Sequence, residues 1–303
     1  MEIKRQLLHM AAWMLYPLPD KQMLQLEYRI KNGRRLNLTN PVRFTEKIQW
    51  YKCYYRNPLM LQCTDKYQVR EYVNRKLGTS QYLNNLYLLV DRAEDIDFDS
   101  LPEQFVIKTT DGSSGDNVLI VKNKQELDIP QAIKKVNKWR NRRNYVISRE
   151  WAYRGAGKSQ IVVEQYLKDS SNADEALNDY KFLCFNGKFQ YMWVDKDRYT
   201  NHTRCFYDRD FKWIPGIDFE YPASATEFPL PDNVKDMVPI AEKLSEDFPF
   251  ARIDLYNIQG RIVFGEITFY PGSGFHNTTP DSFDFELGRH WKMCNNTTTS
   301  PTP

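Results

Sequence analysis

The chain has 303 residues, 41% of them hydrophobic and 27% charged, the composition of a soluble globular protein with room for one large domain or two smaller ones. A formal net charge of +3 is too small to point to nucleic acid, and no apolar run reaches the length needed to span a bilayer. Five cysteines (Cys53, Cys63, Cys184, Cys205, Cys294) are odd in number and never spaced C-x-x-C, which argues against a disulfide framework or zinc site and for a reducing, cytoplasmic setting.

The chain opens with MEIKRQLLHMAAWMLYPLP. Its apolar run contains His9, stops at Pro17 and lacks a small-residue cleavage pattern, so it reads as an amphipathic helix and not a signal sequence. Packing on the body is the first reading of that helix; peripheral contact with the inner membrane surface is the second. Residues 1–95 as a whole read as helical. FTEKIQWYKCYY and TDKYQVREYVNRKLG carry apolar residues at helical spacing, the second starting at a capping Thr64 or Asp65 and ending at Gly78. The period then changes. Phe105–Thr109 and Val118–Val121 are short β-type runs joined by the Gly/Ser loop 110–117. A basic helix follows around QAIKKVNKWRNRRN, then the strand QIVVEQYL. DYKFLCFNGKFQYMWV predicts a hairpin turning at Asn186-Gly187. The helix VKDMVPIAEKLSEDF, with Pro239 inside it, leads to a last β-rich segment, and the tail NNTTTSPTP reads as disordered. A helical front and a strand-rich back predict an α+β fold, not a doubly wound α/β one.

The last β-rich segment, FARIDLYNIQGRIVFGEITFYPGSGF (residues 250–275), places carboxylates inside strands. Arg252, Asp254 and Tyr256 share one face of its first strand; Glu266, Thr268 and Tyr270 share one face of its second. A three-residue loop at Ile258–Gly260 would bring both sets to the same face, with Asp254 diagonally across from Glu266; a two-residue turn at Gln259-Gly260 would put them on opposite faces. Two carboxylates and a hydroxyl suit a hard cation such as Mg²⁺. The plainer reading is a solvated face with Arg252 neutralising one acid. Carboxylates set close together repel when no metal is bound, so replacing one is expected to leave stability unchanged or higher. Gly272 and Gly274 in YPGSGF are expected to let the backbone approach a bound ligand closely.

A second feature lies upstream. In FVIKTTDGSSGDN, Lys108 ends an apolar strand and a loop of small residues follows, whose N–H groups can wrap phosphate oxygens while the lysine supplies a point charge. The order of these motifs resembles the ATP-grasp superfamily, and most closely its TupA-like family, found with bacterial surface-polysaccharide genes. The resemblance runs from about residue 40 to 290 and is carried by NPVRFTEKIQW, FPFARIDLY and GEITFYPGSGF. It implies an α+β ATP-grasp fold, with antiparallel sheets gripping ATP, and Mg²⁺. It also implies activation of a carboxylate as an acyl phosphate, which an amine converts to an amide. On this reading residues 1–95 are a helical N-terminal region and 96–168 the nucleotide-binding and lid subdomain. Residues 169–292 are the catalytic metal-binding subdomain, and 293–303 the tail.

The resemblance further implies roles for single residues. Lys66 and Lys108 resemble the phosphate-binding lysines, with Asp111, Gly112, Ser113, Ser114 and Gly115 as the tip of the phosphate loop. Glu164, with the backbone of Gln165 and Leu167, would meet the adenine, and Asp179 the ribose. Arg252 resembles the arginine on the transferring phosphoryl group, and Asp254 and Glu266 the Mg²⁺ ligands. Thr268 stands where many ATP-grasp ligases place a metal-binding Asn, which leaves the number of metals open. Lys181, two residues from Asp179, is either a phosphate contact or a surface lysine.

DKD at 195–197 and DRD at 208–210 match the D-x-D pattern of glycosyltransferases, or are surface turns. Lys134, Lys135, Lys138, Arg140, Arg142, Arg143 and Arg149 form a basic run that is either a solvated helix or a dock for an anionic glycan or lipid-linked glycan. His9, His202, His276 and His290 show no ligand spacing. The combined expectation is a cytoplasmic ATP- and Mg²⁺-dependent ligase of surface-polysaccharide assembly that joins an amino acid or similar amine to a carboxylate, plausibly of a uronic acid. Nucleic acid is not an expected partner. A glycosyltransferase, a glycan kinase and a catalytically dead nucleotide-binding module are the alternatives.

Overall fold

The structure is a computed structural model and describes residues 16–112, 117–140, 148–154, 159–170, 177–196 and 201–293. The expected N-terminal amphipathic helix (residues 1–15) and the tail from residue 294 lie outside them. In chain order the described elements begin with α1 (Asp20–Asn32), α2 (Phe44–Tyr54), α3 (Pro58–Thr64), α4 (Gln68–Leu77) and β1 (Leu86–Val90). They continue with β2 (Phe105–Thr109), β3 (Val118–Val121), α5 (Ile129–Arg140), β4 (Ile161–Gln165), β5 (Asp179–Phe185) and β6 (Lys188–Lys196). Next come β7 (Thr203–Asp208), β8 (Trp213–Ile214), β9 (Asp218–Phe219), α6 (Val234–Ser245), β10 (Phe250–Ile258), β11 (Arg261–Thr268), β12 (Thr278–Thr279) and α7 (Asp281–His290). Two compact units result. One holds Asn57–Asn178 and Leu255–Glu266; the other holds Pro17–Arg56, Asp179–Asp254 and the chain from Ile267 onward.

The first unit is a four-stranded antiparallel sheet in the order β1-β4-β2-β3. Phe105, Ile107, Ile161 and Val163 turn one face of it into a core with Val136 and Trp139 of α5. Each such side chain removed from water contributes about 1.5–3 kcal/mol. β1 corrects the sequence reading, which extended helix to residue 95. LYLLV is a five-residue apolar run, too short to show a period, and pairing with β4 decides its state. Turn chemistry sets the helices. The Asn57 side chain accepts from the Leu59 N–H ahead of α3, and Asp65 Oδ1 accepts from the N–H groups of Tyr67 and Gln68 ahead of α4. Gly78, at φ 68°, ends α4.

The second unit is built on the strand order β5-β6-β7-β8, with the start of β10 beside β5. Asn186 and Gly187, at φ 51° and 73°, make the expected two-residue turn between β5 and β6. Every residue of β5 is buried. α2 lies against α7 and carries the NPVRFTEKIQW motif into the core. Phe44 meets Phe250 edge-on at 5.0 Å between centroids, and Phe250 stacks on Trp291 at 4.8 Å. Asp284 accepts from both the N–H and the hydroxyl of Thr45, at 2.9 and 2.8 Å. Lys47 Nζ donates to the carbonyls of Gly288 and Trp291. Gly288 leaves no room for a side chain: a Cβ there would lie 2.1 Å from the Val42 carbonyl oxygen. No described helix is long and apolar enough to cross a membrane.

Candidate active site

In the first unit, register fixes the chemistry. Ile107 pairs with Val163 and Lys108 with Val162. Because Ile107 and Val163 face the core, alternation turns Lys108 and Glu164 to the other face. There Lys108 Nζ donates to Glu164 Oε2 at 2.8 Å, and Arg70 lies 3.6 Å from the second carboxylate oxygen. Lys66, just ahead of α4, is tied to the segment after β2. Its N–H donates to the Thr110 carbonyl and its ammonium to that of Gly112. Asp111 Oδ1 accepts from Ser159 Oγ. Burial lowers the Lys66 pKa from its ordinary 10.5; Glu266 opposes this and Lys108 adds to it. Two ammonium groups whose charges repel, beside a segment of small residues, suit a polyanion, which would relieve that repulsion.

Lys66, Lys108, Asp111, Glu164 and the exposed Glu266 therefore belong to one electrostatic neighbourhood. Ser113, Ser114 and Gly115 lie outside the described residues. Gln165 is engaged elsewhere: its N–H donates to the Asn85 carbonyl and its own carbonyl accepts from Asn84 Nδ2. Half-buried Leu167 lies just past the end of β4.

In the second unit a row of charges crosses a buried sheet face. Arg252 Nε and Nη2 donate to Asp254 Oδ1 and Oδ2, both at 2.6 Å, and Nη2 also donates to Thr268 Oγ1 at 2.9 Å. Lys181 Nζ donates to Asp254 Oδ2 at 2.7 Å and to Asp179. Asp195 Oδ2 stands 4.0 Å from the same ammonium, and Asp195 Oδ1 accepts from Arg204 Nε at 2.6 Å. The indole of Trp193 lies under both guanidiniums, with Arg204 Cζ at 4.9 Å and Arg252 Cζ at 5.5 Å. Burial alone would lower the Lys181 pKa, but Asp179 and Asp254 outweigh it and hold the ammonium above its ordinary value. Lys181 is thus a cation at neutral pH. It is only 5% exposed, which overturns its reading as a surface lysine.

Oxygen donors at Asp254 and Thr268 fit a hard cation by chemistry. Among the described residues no set of three or more His, Cys, Asp and Glu side chains could hold a metal. Arg252 and Lys181 now neutralise Asp254, so a metal there would share it with two cations that phosphate oxygens can draw away. The solvated-face reading of Asp254 is corrected, since the residue is 1% exposed. The turn between β10 and β11 is also corrected: Gln259 and Gly260, at φ 51° and 90°, form the two-residue version, not the three-residue loop.

YPGSGF behaves differently from expectation. A Cβ on Gly272 would lie 2.5 Å from His276 Nδ1, and one on Gly274 would lie 2.6 Å from Gln49 Nε2. The two glycines admit the protein's own side chains at close range. Gln49 and Lys52 of α2 then hold the loop through the Ser273 and Gly274 carbonyls. Sequence reading missed Gln49, Lys52 and Arg204; the signal for each was a polar residue at an apolar position of its element. Asp195 of the DKD motif is a buried ion-pair partner, not a surface turn. Asp208 of DRD is the turn-former expected, its Oδ1 accepting from the N–H groups of Asp210 and Lys212. The basic run divides: Lys134, Lys135 and Lys138 are exposed, Arg140 donates to the Ser159 carbonyl, and Arg149 is 2% exposed. Arg142 and Arg143 lie outside the described residues. None of the four described cysteines forms a disulfide.

A family model described as TupA-like ATPgrasp matches residues 46–292. No curated protein matches the chain. Among solved structures the chain is similar to a D-alanine–D-alanine ligase from Bacillus anthracis, at 18% identity over 76% of this chain and 67% of that one, TM-score 0.45. The D-alanine–D-alanine ligase from Helicobacter pylori gives 15% identity over 82% and 68%, TM-score 0.46. An L-amino acid ligase from Bacillus licheniformis gives 16% over 76% and 49%, TM-score 0.45. The chain spans about two thirds of the first two proteins and half of the third.

Proposed function

The chain belongs to the TupA-like ATP-grasp family, and on that premise we propose that it is an ATP- and Mg²⁺-dependent carboxylate–amine ligase that modifies a surface polysaccharide, amidating a uronic acid with an amino acid. Its fold is the α+β ATP-grasp fold with antiparallel sheets. A carboxylate oxygen of the glycan attacks the γ-phosphorus of ATP and ADP leaves. The amine then attacks the acyl carbon, the C–O bond to phosphate breaks, and the amine proton passes to solvent.

Lys66 and Lys108 hold phosphate oxygens. Lys181 and Arg252 neutralise the charge of the transferring phosphoryl group, and both already stand at Asp254 before substrate arrives. Asp254 and Thr268 would be the oxygen donors for Mg²⁺, which would supply further charge neutralisation when bound. The observation that carries this reading is the buried Arg252–Asp254–Lys181 constellation inside the matched residues 46–292. The D-x-D alternative loses support because Asp195 is already committed to Arg204 and Lys181.

The test supplies ATP, Mg²⁺, a uronic-acid glycan from the native polysaccharide and a pool of amino acids. ADP and phosphate should appear together, with a product heavier than the glycan by one amino acid less one water. A phosphoryl group retained on the glycan would make the protein a kinase.

A further inference from the structure

Gly33, at φ 71°, ends α1, and the chain turns back so that Leu36 joins Leu24 and Tyr28 in one core. That return brings Arg29 and Arg35 to a single surface cavity of about 350 Å³ in the second unit, lined also by Gln25 and Leu36. Both arginines are exposed, and neither guanidinium makes a hydrogen bond or ion pair among the described residues. Arg34 and Arg43, by contrast, both hold Asp281. Helical spacing puts Gln22, Gln25, Leu26, Arg29 and Ile30 on one outward face of α1, and all five are exposed. No acid shares that face. Of the two acids in α1, Asp20 is half-buried at its first position, and Glu27 lies 3.8 Å from Lys31.

Charge and hydrophobicity together say what this face meets. Uncompensated guanidiniums suit phosphate oxygens, which arginine grips with its planar fork of N–H donors. Beside them Ile30 is 72% exposed and Leu26 44%, and an aliphatic side chain gains free energy only by leaving water. A dissolved anionic glycan would satisfy the arginines and leave both aliphatic chains wet. An anionic phospholipid surface satisfies both, with headgroup phosphates at Arg29 and Arg35 and the acyl boundary at Leu26 and Ile30. Exposed Lys21 and Lys31 on the same helix add to the attraction. We propose that the outward face of α1, with the Arg29–Arg35 cavity, docks the protein onto a bilayer surface rich in anionic phospholipid. The docking is independent of the ligase reading.

The experiment sediments the full chain with vesicles of phosphatidylcholine alone, or of phosphatidylcholine mixed with phosphatidylglycerol, and measures the bound fraction. Binding to the anionic vesicles should be at least about tenfold tighter, and salt at about 1 M should remove most of that gain. Arg29→Gln and Arg35→Gln should each weaken it about fivefold, and Ile30→Ser roughly threefold or more, while Ile30→Leu binds as the parent does. All these side chains are exposed, so each variant should keep the parent's Tm within about two degrees. Added polygalacturonate, a soluble anionic glycan without acyl chains, should leave most of the protein on the vesicles. Its displacement of the protein would make the face a glycan dock and overturn the proposal. Residues 1–15 stay in every sample, so binding that they alone cause survives the substitutions on α1 and overturns it too. Equal binding to neutral and anionic vesicles, or none to either, would do the same.

Discussion

At the scale of single residues, buried charge compensation separates Asp254 from Glu266. Asp254 receives three charge-assisted bonds from Arg252 and Lys181 at 2.6–2.7 Å, whereas Glu266 is exposed. Asp254→Asn therefore leaves two buried cations short of a partner and should cost about 3–5 kcal/mol of stability without nucleotide. This reverses the sequence-based expectation that removing either acid leaves stability unchanged or higher, because like-charge repulsion is not what Asp254 experiences. Glu266→Gln should change stability by less than about 0.5 kcal/mol. Chemical denaturation of the two variants checks the contrast; equal losses would contradict it. Lys66 gives the opposite sign. Its folded pKa lies below its ordinary 10.5, so the native state binds fewer protons than the unfolded chain, and stability rises with pH from that lowered value up to 10.5. Lys66→Met removes that slope, leaves the Tm at neutral pH unchanged or higher, and abolishes most of the Tm rise given by Mg-ATP. A variant that melts earlier yet keeps the ATP shift would show that Lys66 is structural.

At the scale of elements, legibility followed period and turn chemistry. The strands Phe105–Thr109 and Val118–Val121, the Asn186-Gly187 turn and the Gly78 helix stop were all readable, since each rests on a local rule. β1 was not, because five apolar residues acquire a state only from a distant partner in β4. The same holds within the candidate site. Asp254 and Arg252 stood out on one strand face, Asp179 through the family resemblance and Lys181 through its spacing to Asp179, but their mutual pairing is set by which strands lie side by side. Arg204 hid in TRCFYD until β7 was placed beside β6. The family-like motif NPVRFTEKIQW likewise gained its physical meaning from α7. Thr45, Lys47 and the closely approached Gly288 lock α2 to α7, while Gln49 and Lys52 hold the YPGSGF loop. Gly288→Ala should thus push α7 away from the Val42 carbonyl and cost roughly 2–4 kcal/mol, read as a Tm lowered by several degrees. A Tm within a degree of the parent would mean that the contact yields easily.

At the scale of the whole molecule, the claim is that one Mg-ATP is used to activate a carboxylate for attack by an amine. Family membership over residues 46–292 supplies the ATP-grasp fold, and the half-buried Lys66–Lys108 pair and the buried Lys181–Arg252–Asp254 cluster are the groups to which the proposal assigns phosphate and metal binding. Legibility ended at the substrates: nothing in a phosphate loop or a metal strand depends on which glycan or amine is joined. The most direct measurement follows one oxygen atom. The glycan carboxylate is labelled with ¹⁸O and supplied with ATP, Mg²⁺ and the amine, and the released phosphate is weighed by mass spectrometry. Acyl-phosphate chemistry predicts one ¹⁸O in the phosphate for every amide formed, because the oxygen that attacks phosphorus leaves with it. Amide formed with unlabelled phosphate, or a phosphoryl group that stays on the glycan while ADP accumulates, would contradict the account.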